Sequence, residues 1–204
     1  EEKGVFFMFT GIISYLGNVQ KNQNSMLSIE ATSRLVSQLK KGRSIAVNGV
    51  CLTVVKNIEN RSFLIEMMPE TLNRAMLGRL QPRDLVNLEL PAKAQTLFSG
   101  HIVQGHIDGV GILKKIDMEG NSRLLTIAAP PELMKHIVSK GSIAVNGISL
   151  TVIDTTRSHF TVGIIPYTWT HTMLHRVKIS DTLNIETDIM AKYMEKILQE
   201  RKSL

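Results

Sequence analysis

The stretch SIAVNGVCLTVV, residues 44–55, returns almost unchanged as SIAVNGISLTVI, residues 142–153. The similarity continues downstream at nearly the same spacing, where MMPETLNRAML (67–77) corresponds to IIPYTWTHTML (164–174). A near-constant offset over most of the chain indicates two copies of one fold rather than a chance motif. Positions at which the two copies differ are therefore the places to look for function.

Each copy is predicted to contain about six short strands and two short helices. The clearest signal is a hairpin turn, Asn48-Gly49 in one copy and Asn146-Gly147 in the other, because Asn-Gly supplies the two positive-φ residues of a type I′ turn. Closure into a barrel removes exposed strand edges. The predicted fold class is all-β with short helices: two homologous six-stranded antiparallel Greek-key-type barrels plus a C-terminal helix. In the first copy the other predicted elements are strands at 11–20, 26–32, 50–55, 63–68 and 85–90 and helices at 33–39 and from Glu70.

The predicted domains are barrels at 8–92 and 100–187, joined near 91–99, and a helix at 188–204. Asp188 fits the N-cap of that helix. One helical face carries an apolar stripe made of Ile189, Tyr193 or Met194, Ile197 and Leu198. The stripe could pack on its own barrel or against the same helix of another chain, and we favour the second.

Composition limits the possible partners. The net charge is +6 and the sequence pI about 9.5, but Lys and Arg are scattered and aromatics make up only 5%, which argues against nucleic-acid binding. No apolar run approaches membrane-spanning length. Cys51, the single cysteine, excludes an internal disulfide and suits a reducing compartment. We expect a cytoplasmic protein, or one of the plastid stroma if residues 1–7 are the stub of a transit peptide.

Four motifs together resemble riboflavin synthase of the α-chain type, a family with lumazine-binding repeats. They are MFTGII (8–13), NGVCLTV (48–54), GHIVQGHIDGVG (100–111) and NGISLTV (146–152). The resemblance implies dismutation of two 6,7-dimethyl-8-ribityllumazine molecules to riboflavin and 5-amino-6-ribitylaminouracil, by transfer of a four-carbon unit and without a metal or redox cofactor. It also implies a homotrimer held by C-terminal helices, association with lumazine synthase, and active sites between barrels of adjacent chains.

The duplication suits this chemistry, because a reaction between two copies of one molecule needs two similar surfaces facing one another. The main alternative is a non-catalytic lumazine- or flavin-binding protein of the same fold. The intact TG, CLT, GHIVQGH and SLT motifs favour the enzyme. A flavin-reductase barrel would need a nicotinamide-binding domain, for which the 204 residues leave no room.

Small polar residues recur at matched positions of the two hairpins. Cys51 corresponds to Ser149, and Thr53 to Thr151. Alternate residues of a strand share a face, so each pair points to one side. These residues could simply fill a barrel wall, but four at matched positions favour ligand contact, and the resemblance implies hydrogen bonds to the pteridine rings. Cys51 is a candidate nucleophile; without a visible activating base, positioning is its favoured role.

His106 is the candidate general base, since the reaction must remove protons from a methyl group. Its counterpart in the first copy is Ile12, so the imidazole belongs to one copy alone. A structural histidine is the competing interpretation, and His101 is interpreted as structural. The two histidines lack zinc-ligand spacing, so no metal site is predicted. Thr10, whose counterpart is Gln104, and Ser149 complete the catalytic candidates.

The resemblance assigns further residues to ligand binding. Lys140 would act in trans or be a solvated surface lysine, and Asp188 would lie near the site or only cap its helix. Asn146 stands where family members often carry Asp; loss of that carboxylate matters if it carries charge in the mechanism, whereas Asn serves equally well if the residue only forms the turn. Thr71 and Thr168 would contact the ligand or cap short helices. The remaining predicted contacts are Gly11, Ile12, Ile13, Ser44, Val50, Leu52, Glu66, Met67, Met68, Pro69, Glu70, Gly105, Ile107, Ile148, Leu150, Gly163, Ile164, Ile165, Pro166 and Tyr167.

Overall fold

The structure, a computed structural model, describes residues 8–59, 61–97 and 99–201. The predictions for residues 1–7, and for residues 202–204 of the C-terminal helix, lie outside these ranges. The strands of the first copy are β1 (Tyr15–Gln23), β2 (Met26–Glu30), β3 (Ser44–Val47), β4 (Val50–Ile58), β5 (Ser62–Glu66) and β6 (Leu85–Glu89). Those of the second are β7 (Gly109–Glu119), β8 (Ser122–Ala128), β9 (Ser142–Val145), β10 (Ile148–Thr155), β11 (His159–Ile164) and β12 (Thr182–Thr187). The helices are α1 (Ser33–Val36), α2 (Pro69–Arg74), α3 (Pro131–Met134), α4 (Pro166–His171) and α5 (Ile189–Arg201), with 3₁₀ turns at Met76–Arg79 and Met173–Arg176.

The strands close into two six-stranded antiparallel barrels of the same topology. The order is β1-β2-β5-β4-β3-β6 in the first, and the equivalent β7-β8-β11-β10-β9-β12 in the second. Both hairpin turns have the predicted positive φ values, 45° and 80° at Asn48 and Gly49 and 46° and 77° at Asn146 and Gly147. The prediction of barrels is confirmed, whereas the division into domains at 92, 100 and 188 stays a prediction.

Several predicted elements have different limits in the structure. The strand expected at 26–32 ends at Glu30, that at 50–55 continues to Ile58, that at 63–68 spans Ser62–Glu66, and the helix expected at 33–39 ends at Val36. The strand expected at 11–20 begins at Tyr15 and continues to Gln23. Residues before Tyr15 leave the barrel instead of joining it, and Phe9 forms an isolated bridge with Val103. The barrel wall and the segment before it are therefore separate structural units, which matters for the site.

Each barrel encloses its own apolar core. On β4, Val50, Leu52 and Val54 point inward and are buried, whereas Cys51 and Thr53 lie on the outer face. This alternation follows from the two-residue period of a strand. The same pattern on β10 buries the alternate residues from Ile148 and leaves Ser149 outside. The predicted polar candidates therefore share the outer faces.

The two hairpin turns meet back to back at the junction of the barrels. The Asn87 side chain donates to the Asn146 carbonyl (2.9 Å), and the Asn184 side chain donates to the Asn48 carbonyl (2.8 Å). In return, Asn48 Oδ1 accepts from the Asn87 amide (2.8 Å) and Asn146 Oδ1 from the Asn184 amide (2.7 Å). These reciprocal bonds satisfy the buried amides and relate the barrels by an approximate two-fold axis.

Helix α5 begins where predicted. Asp188 caps it by accepting from the Met190 amide (3.0 Å). Polar contacts attach α5 to the second barrel, including Lys192 Nζ to Asp108 Oδ1 at 2.7 Å. Its apolar side chains are not covered by that barrel: Met190, Tyr193, Met194, Ile197 and Leu198 are 55–61% exposed. Association between chains through this stripe stays a prediction. None of the helices in the described ranges has the length and apolar character needed to span a membrane.

Candidate active site

The segment that precedes each barrel contacts the barrel of the other copy. We call residues 8–13 the first leading segment and residues 100–107 the second. The Gly11 carbonyl accepts from the Ser149 amide at 2.8 Å, and the Gly105 carbonyl accepts from the Cys51 amide at 2.9 Å. Gly11 and Gly105 thus lie on the outer face of the barrel formed by the other copy, whereas His101, at the start of the second leading segment, contacts Ser149 of its own copy. Residues from both copies therefore combine on each face.

Close approach explains the glycines at these contacts. Gly11 and Gly105 have φ values of +75° and +81°, a region that L side chains rarely adopt. A Cβ added at Gly11 would lie 2.6 Å from Ser149 Cβ, and one added at Gly105 would lie 2.6 Å from Cys51 Cβ. Only glycine therefore allows the leading segments to contact the strands.

We define the cysteine face as Cys51, Thr53, Gly105 and His106. Cys51 is half-buried, while the side chains of Thr53 and His106 are exposed. Burial raises the pKa of the Cys51 thiol; a hydrogen bond from Ser44 opposes this, and the charge of Glu186 adds to it. The neutral thiol therefore predominates near pH 7. This supports a positioning role for Cys51 over a nucleophilic one.

We define the serine face as Ser149, Thr151, Gly11, Ile12 and His101. His101 Nδ1 lies 2.7 Å from Ser149 Oγ. Burial lowers the pKa of His101, with the charge of Asp188 opposing, so the imidazole is neutral near pH 7. Its buried Nε2 has no hydrogen-bond partner among the described residues. The sequence interpretation of His101 as structural overlooked this contact with Ser149.

Two buried carboxylates support the leading segments. Glu89 accepts from the Thr10 amide (2.7 Å), the Thr10 hydroxyl (2.8 Å) and the Gly11 amide (3.1 Å). Glu186 accepts from the Gln104 amide (2.6 Å) and the Gly105 amide (2.9 Å). Burial raises the pKa of both, against these hydrogen bonds, and that of Glu186 reaches about 7. Sequence reasoning missed both glutamates, whose only signal is a Glu at the same position of two corresponding segments, VNLEL (86–90) and LNIET (183–187).

Several predicted contact residues are inaccessible at the outer faces. The strand period turns Val50, Leu52, Ile148, Leu150 and Ile164 into the barrel cores, and Met67 is buried in the first core. Their side chains belong to the cores, so a ligand on the outer wall could contact only their backbone atoms, and their assignment to substrate binding stays a prediction.

Three polar candidates have buried partners within the chain. Thr10 is buried against Glu89, so its hydroxyl supports the first leading segment. Asn146 is fully buried at the barrel junction, where it completes the amide network and the turn. Ser44 is buried beside Cys51. Because these groups are enclosed, each would reach a ligand only indirectly, through the residue it supports.

Other predicted residues remain open to solvent or half-buried around the two faces. Ile13 and Ile107 are partly buried against the barrel of the other copy: Ile13 packs on the second core and Ile107 on the first. Asp188 is half-buried while capping α5. The accessible set comprises Glu66, Met68, Pro69, Glu70, Thr71, Lys140, Gly163, Ile165, Pro166, Tyr167 and Thr168. Within the described ranges, His, Cys, Asp and Glu side chains form no group of three or more that could hold a metal.

Comparison with known proteins identifies the family. The family model of the lumazine binding domain matches residues 10–91 and again residues 104–188. The riboflavin synthase of Actinobacillus pleuropneumoniae is 44% identical over 195 residues, covering 94% of this chain and 90% of that protein. The riboflavin synthase of Mycobacterium bovis is 38% identical over 198 residues, covering 94% and 98%.

Solved structures agree on the fold. LumP complexed with riboflavin aligns with a TM-score of 0.78 at 24% sequence identity, over 88% of this chain and 98% of that one. LumP complexed with 6,7-dimethyl-8-(1'-D-ribityl) lumazine aligns with a TM-score of 0.75 at 23% identity. The two barrels, their repeated family match and the similarity over nearly the whole length lead to one conclusion: the chain belongs to the riboflavin synthase family and contains two lumazine-binding domains.

Proposed function

We propose that this chain makes riboflavin by dismutation of 6,7-dimethyl-8-ribityllumazine. One lumazine donates a four-carbon unit to the other and leaves as 5-amino-6-ribitylaminouracil. The observation that carries the proposal is the pair of related but unequal outer faces, built around Cys51 and Ser149. Two copies of one substrate need two similar surfaces, and unlike groups on these surfaces would assign unlike roles to the copies. Family relatives named riboflavin synthase support this reaction.

On the cysteine face, His106 is the proposed general base. Its side chain is exposed and follows Gly105, whose backbone is fixed to Cys51. Imidazole is the side chain most often used to move protons in a transition state. In this role His106 would accept a proton from a methyl group of the adjacent lumazine, and the neutral Cys51 thiol would help to position the ring.

On the serine face, His101 and Ser149 form the proposed polar contact to the second lumazine. The 2.7 Å contact between His101 Nδ1 and Ser149 Oγ fixes the orientation of the hydroxyl. Because the imidazole is neutral, this pair would stabilise the ring by hydrogen bonding without adding a positive charge. Ile12, at the position of His106, gives this face no equivalent base.

We assign each complete active site to the cysteine face of one chain and the serine face of a neighbouring chain, within a homotrimer. The exposed apolar stripe of α5 supports association between chains, since solvent exposure of five large apolar side chains on one short helix is unfavourable. Bringing the two faces together would convert a reaction between two free molecules into one between two oriented ligands, which can supply much of the rate enhancement.

The direct test is incubation of the pure protein with 6,7-dimethyl-8-ribityllumazine, without added cofactor, while riboflavin absorbance is followed. One riboflavin for every two lumazines consumed is the expected stoichiometry. Tight lumazine binding without product would assign the chain to the non-catalytic lumazine-binding alternative. A requirement for added metal or redox cofactor would contradict the proposed reaction.

A further inference from the structure

The backbone of Gly105 connects a buried carboxylate of the second barrel to strand β4 of the first barrel, which carries Cys51. Its amide donates to Glu186 Oε2 at 2.9 Å, while its carbonyl accepts from the Cys51 amide at 2.9 Å. Glu186 lies on β12 of the second barrel and Cys51 on β4 of the first. The two peptide groups that flank the Gly105 Cα therefore connect Glu186 to the cysteine face.

The first copy repeats this arrangement on the other face. The Gly11 amide donates to Glu89 Oε2 at 3.1 Å, and its carbonyl accepts from the Ser149 amide at 2.8 Å. Within the described part of the chain, neither carboxylate hydrogen-bonds to the polar side chains of the face it supports. Their common feature is that each binds the backbone of a leading segment, so any effect on a ligand must pass through that segment.

We propose that Glu186 is a positioning residue that holds the second leading segment, and with it His106, at the cysteine face, and that Glu89 does the same for the first leading segment at the serine face. The proposal rests on the proposed function for its catalytic consequence, but its structural claim concerns backbone contacts alone. Loss of either carboxylate leaves buried amides without an acceptor, an arrangement that folded proteins avoid.

The two anchors differ in the number of groups they hold. Thr10 gives Glu89 a hydroxyl and an amide, whereas Gln104 gives Glu186 only its amide. Two charged groups lie near Glu186: Lys192 on α5 and Asp108 just after the second leading segment, whose Nζ and Oδ1 atoms are 2.7 Å apart. The neutral Cys51 thiol is a third titratable group near Glu186. Loss of Glu89 should therefore leave more hydrogen-bond donors without an acceptor than loss of Glu186 does.

The test is residue-resolved amide hydrogen exchange in the full-length, ligand-free protein. We expect Glu186→Ala to increase exchange of the Cys51 amide about tenfold or more, corresponding to loss of about one hydrogen bond, with the Ser149 amide unchanged. Glu89→Ala should increase exchange of the Ser149 amide and leave that of the Cys51 amide unchanged. The near-isosteric variants Glu186→Gln and Glu89→Gln keep one acceptor oxygen, so they should show smaller effects on the same amides and provide the measurement if an alanine variant does not fold.

Riboflavin formation is measured separately. Glu186→Ala should lower kcat about tenfold with a smaller change in KM, and Glu186→Gln should recover part of the loss. The positioning role would be overturned if each variant increased exchange of the Cys51 and Ser149 amides equally, or if neither amide exchanged faster. If the wild type makes no riboflavin, selective exchange would still support the anchors while the proposed function fails; if it makes riboflavin but exchange is not selective, only the anchors fail.

Discussion

The cysteine face and the serine face have the same scaffold but different chemical groups. Both are built on the second strand of an Asn-Gly hairpin, covered by a positive-φ glycine from the other copy, and supported through that glycine by a buried glutamate. They differ in that one carries Cys51 and His106 and the other carries Ser149 with His101.

The comparison indicates how a duplicated fold can serve an asymmetric reaction. The shared backbone would place two copies of one substrate in similar poses, and the substituted side chains would make one copy lose protons where the other does not. Because the leading segments are exchanged, each face is also composed of both copies. Each copy therefore contributes residues to both faces of the same chain.

The largest expected effect comes from filling the glycine contact on one face. Gly105→Ala should reduce riboflavin formation about 1,000-fold or more, because the new Cβ would displace the second leading segment from Cys51 and misplace His106. Steady-state kinetics with lumazine is the measurement. Gly42→Ala is the matched control, since Gly42 has a φ of +83° but nothing within 4 Å of its added Cβ. Similar losses in both variants would attribute the effect to backbone strain alone.

Removal of the proposed base should have the next largest effect. His106→Ala is expected to lower kcat about 100-fold while changing lumazine affinity little, because general-base catalysis acts in the transition state. Turnover and fluorescence titration of lumazine binding give the two quantities. Ile12→Ala, at the matched position of the serine face, should mainly weaken binding. Equal losses of binding and turnover in His106→Ala would contradict the base assignment.

The Glu186 carboxyl should make stability depend on pH. Its pKa is raised to about 7 in the folded chain and returns to about 4.5 on unfolding, so the folded state binds more protons between these values. Its contribution is fully present below about pH 4.5 and is lost as the pH rises to about 7, with a magnitude of about 3 kcal/mol. Urea unfolding from pH 4.5 to 8 measures it. Glu186→Gln should remove this pH dependence of the free energy of unfolding. If the dependence is unchanged in the variant, a group other than Glu186 is responsible for it.

The smallest expected effect is that of Cys51→Ser, which gives the cysteine face the residue found at the matched position of the serine face. Since the raised pKa keeps the thiol neutral, a hydroxyl should replace it with a change in kcat of less than about tenfold. Rapid kinetics on the purified variant would check this. A loss of 1,000-fold would instead indicate that the thiolate attacks the ring, and the two faces would then differ in mechanism as well as in positioning.

Local and repeated signals predicted much of this structure. The Asn-Gly turns, the alternation that places Cys51 outside and Leu52 inside, and the Asp188 cap all follow from residues close in sequence. Two barrels followed from the repeat itself. The same alternation places the side chains of Leu52 and Ile148 in the cores, which leaves only their backbone atoms for the predicted ligand contact.

The exchange of the leading segments could not be predicted in the same way. Contacts such as Gly105 with Cys51 join residues of different copies, and no local pattern encodes which barrel a segment will cover. His101 with Ser149 and Gly105 with Glu186 are contacts within the second copy, but they join residues 48 and 81 positions apart, so local patterns do not reveal them either. A single sequence shows these residues as ordinary histidines and glutamates, because their roles arise from long-range packing.

Mixed assembly of two defective variants tests the central claim most directly. His106→Ala damages the cysteine face and Ser149→Ala the serine face; the two chains are co-refolded in equal amounts, and isotope labelling of one confirms that they mix. If each active site joins faces of adjacent chains, random mixing makes about one site in four intact and restores about a quarter of the wild-type activity. Confirmed mixing with no gain over the separate variants would contradict an active site shared between chains.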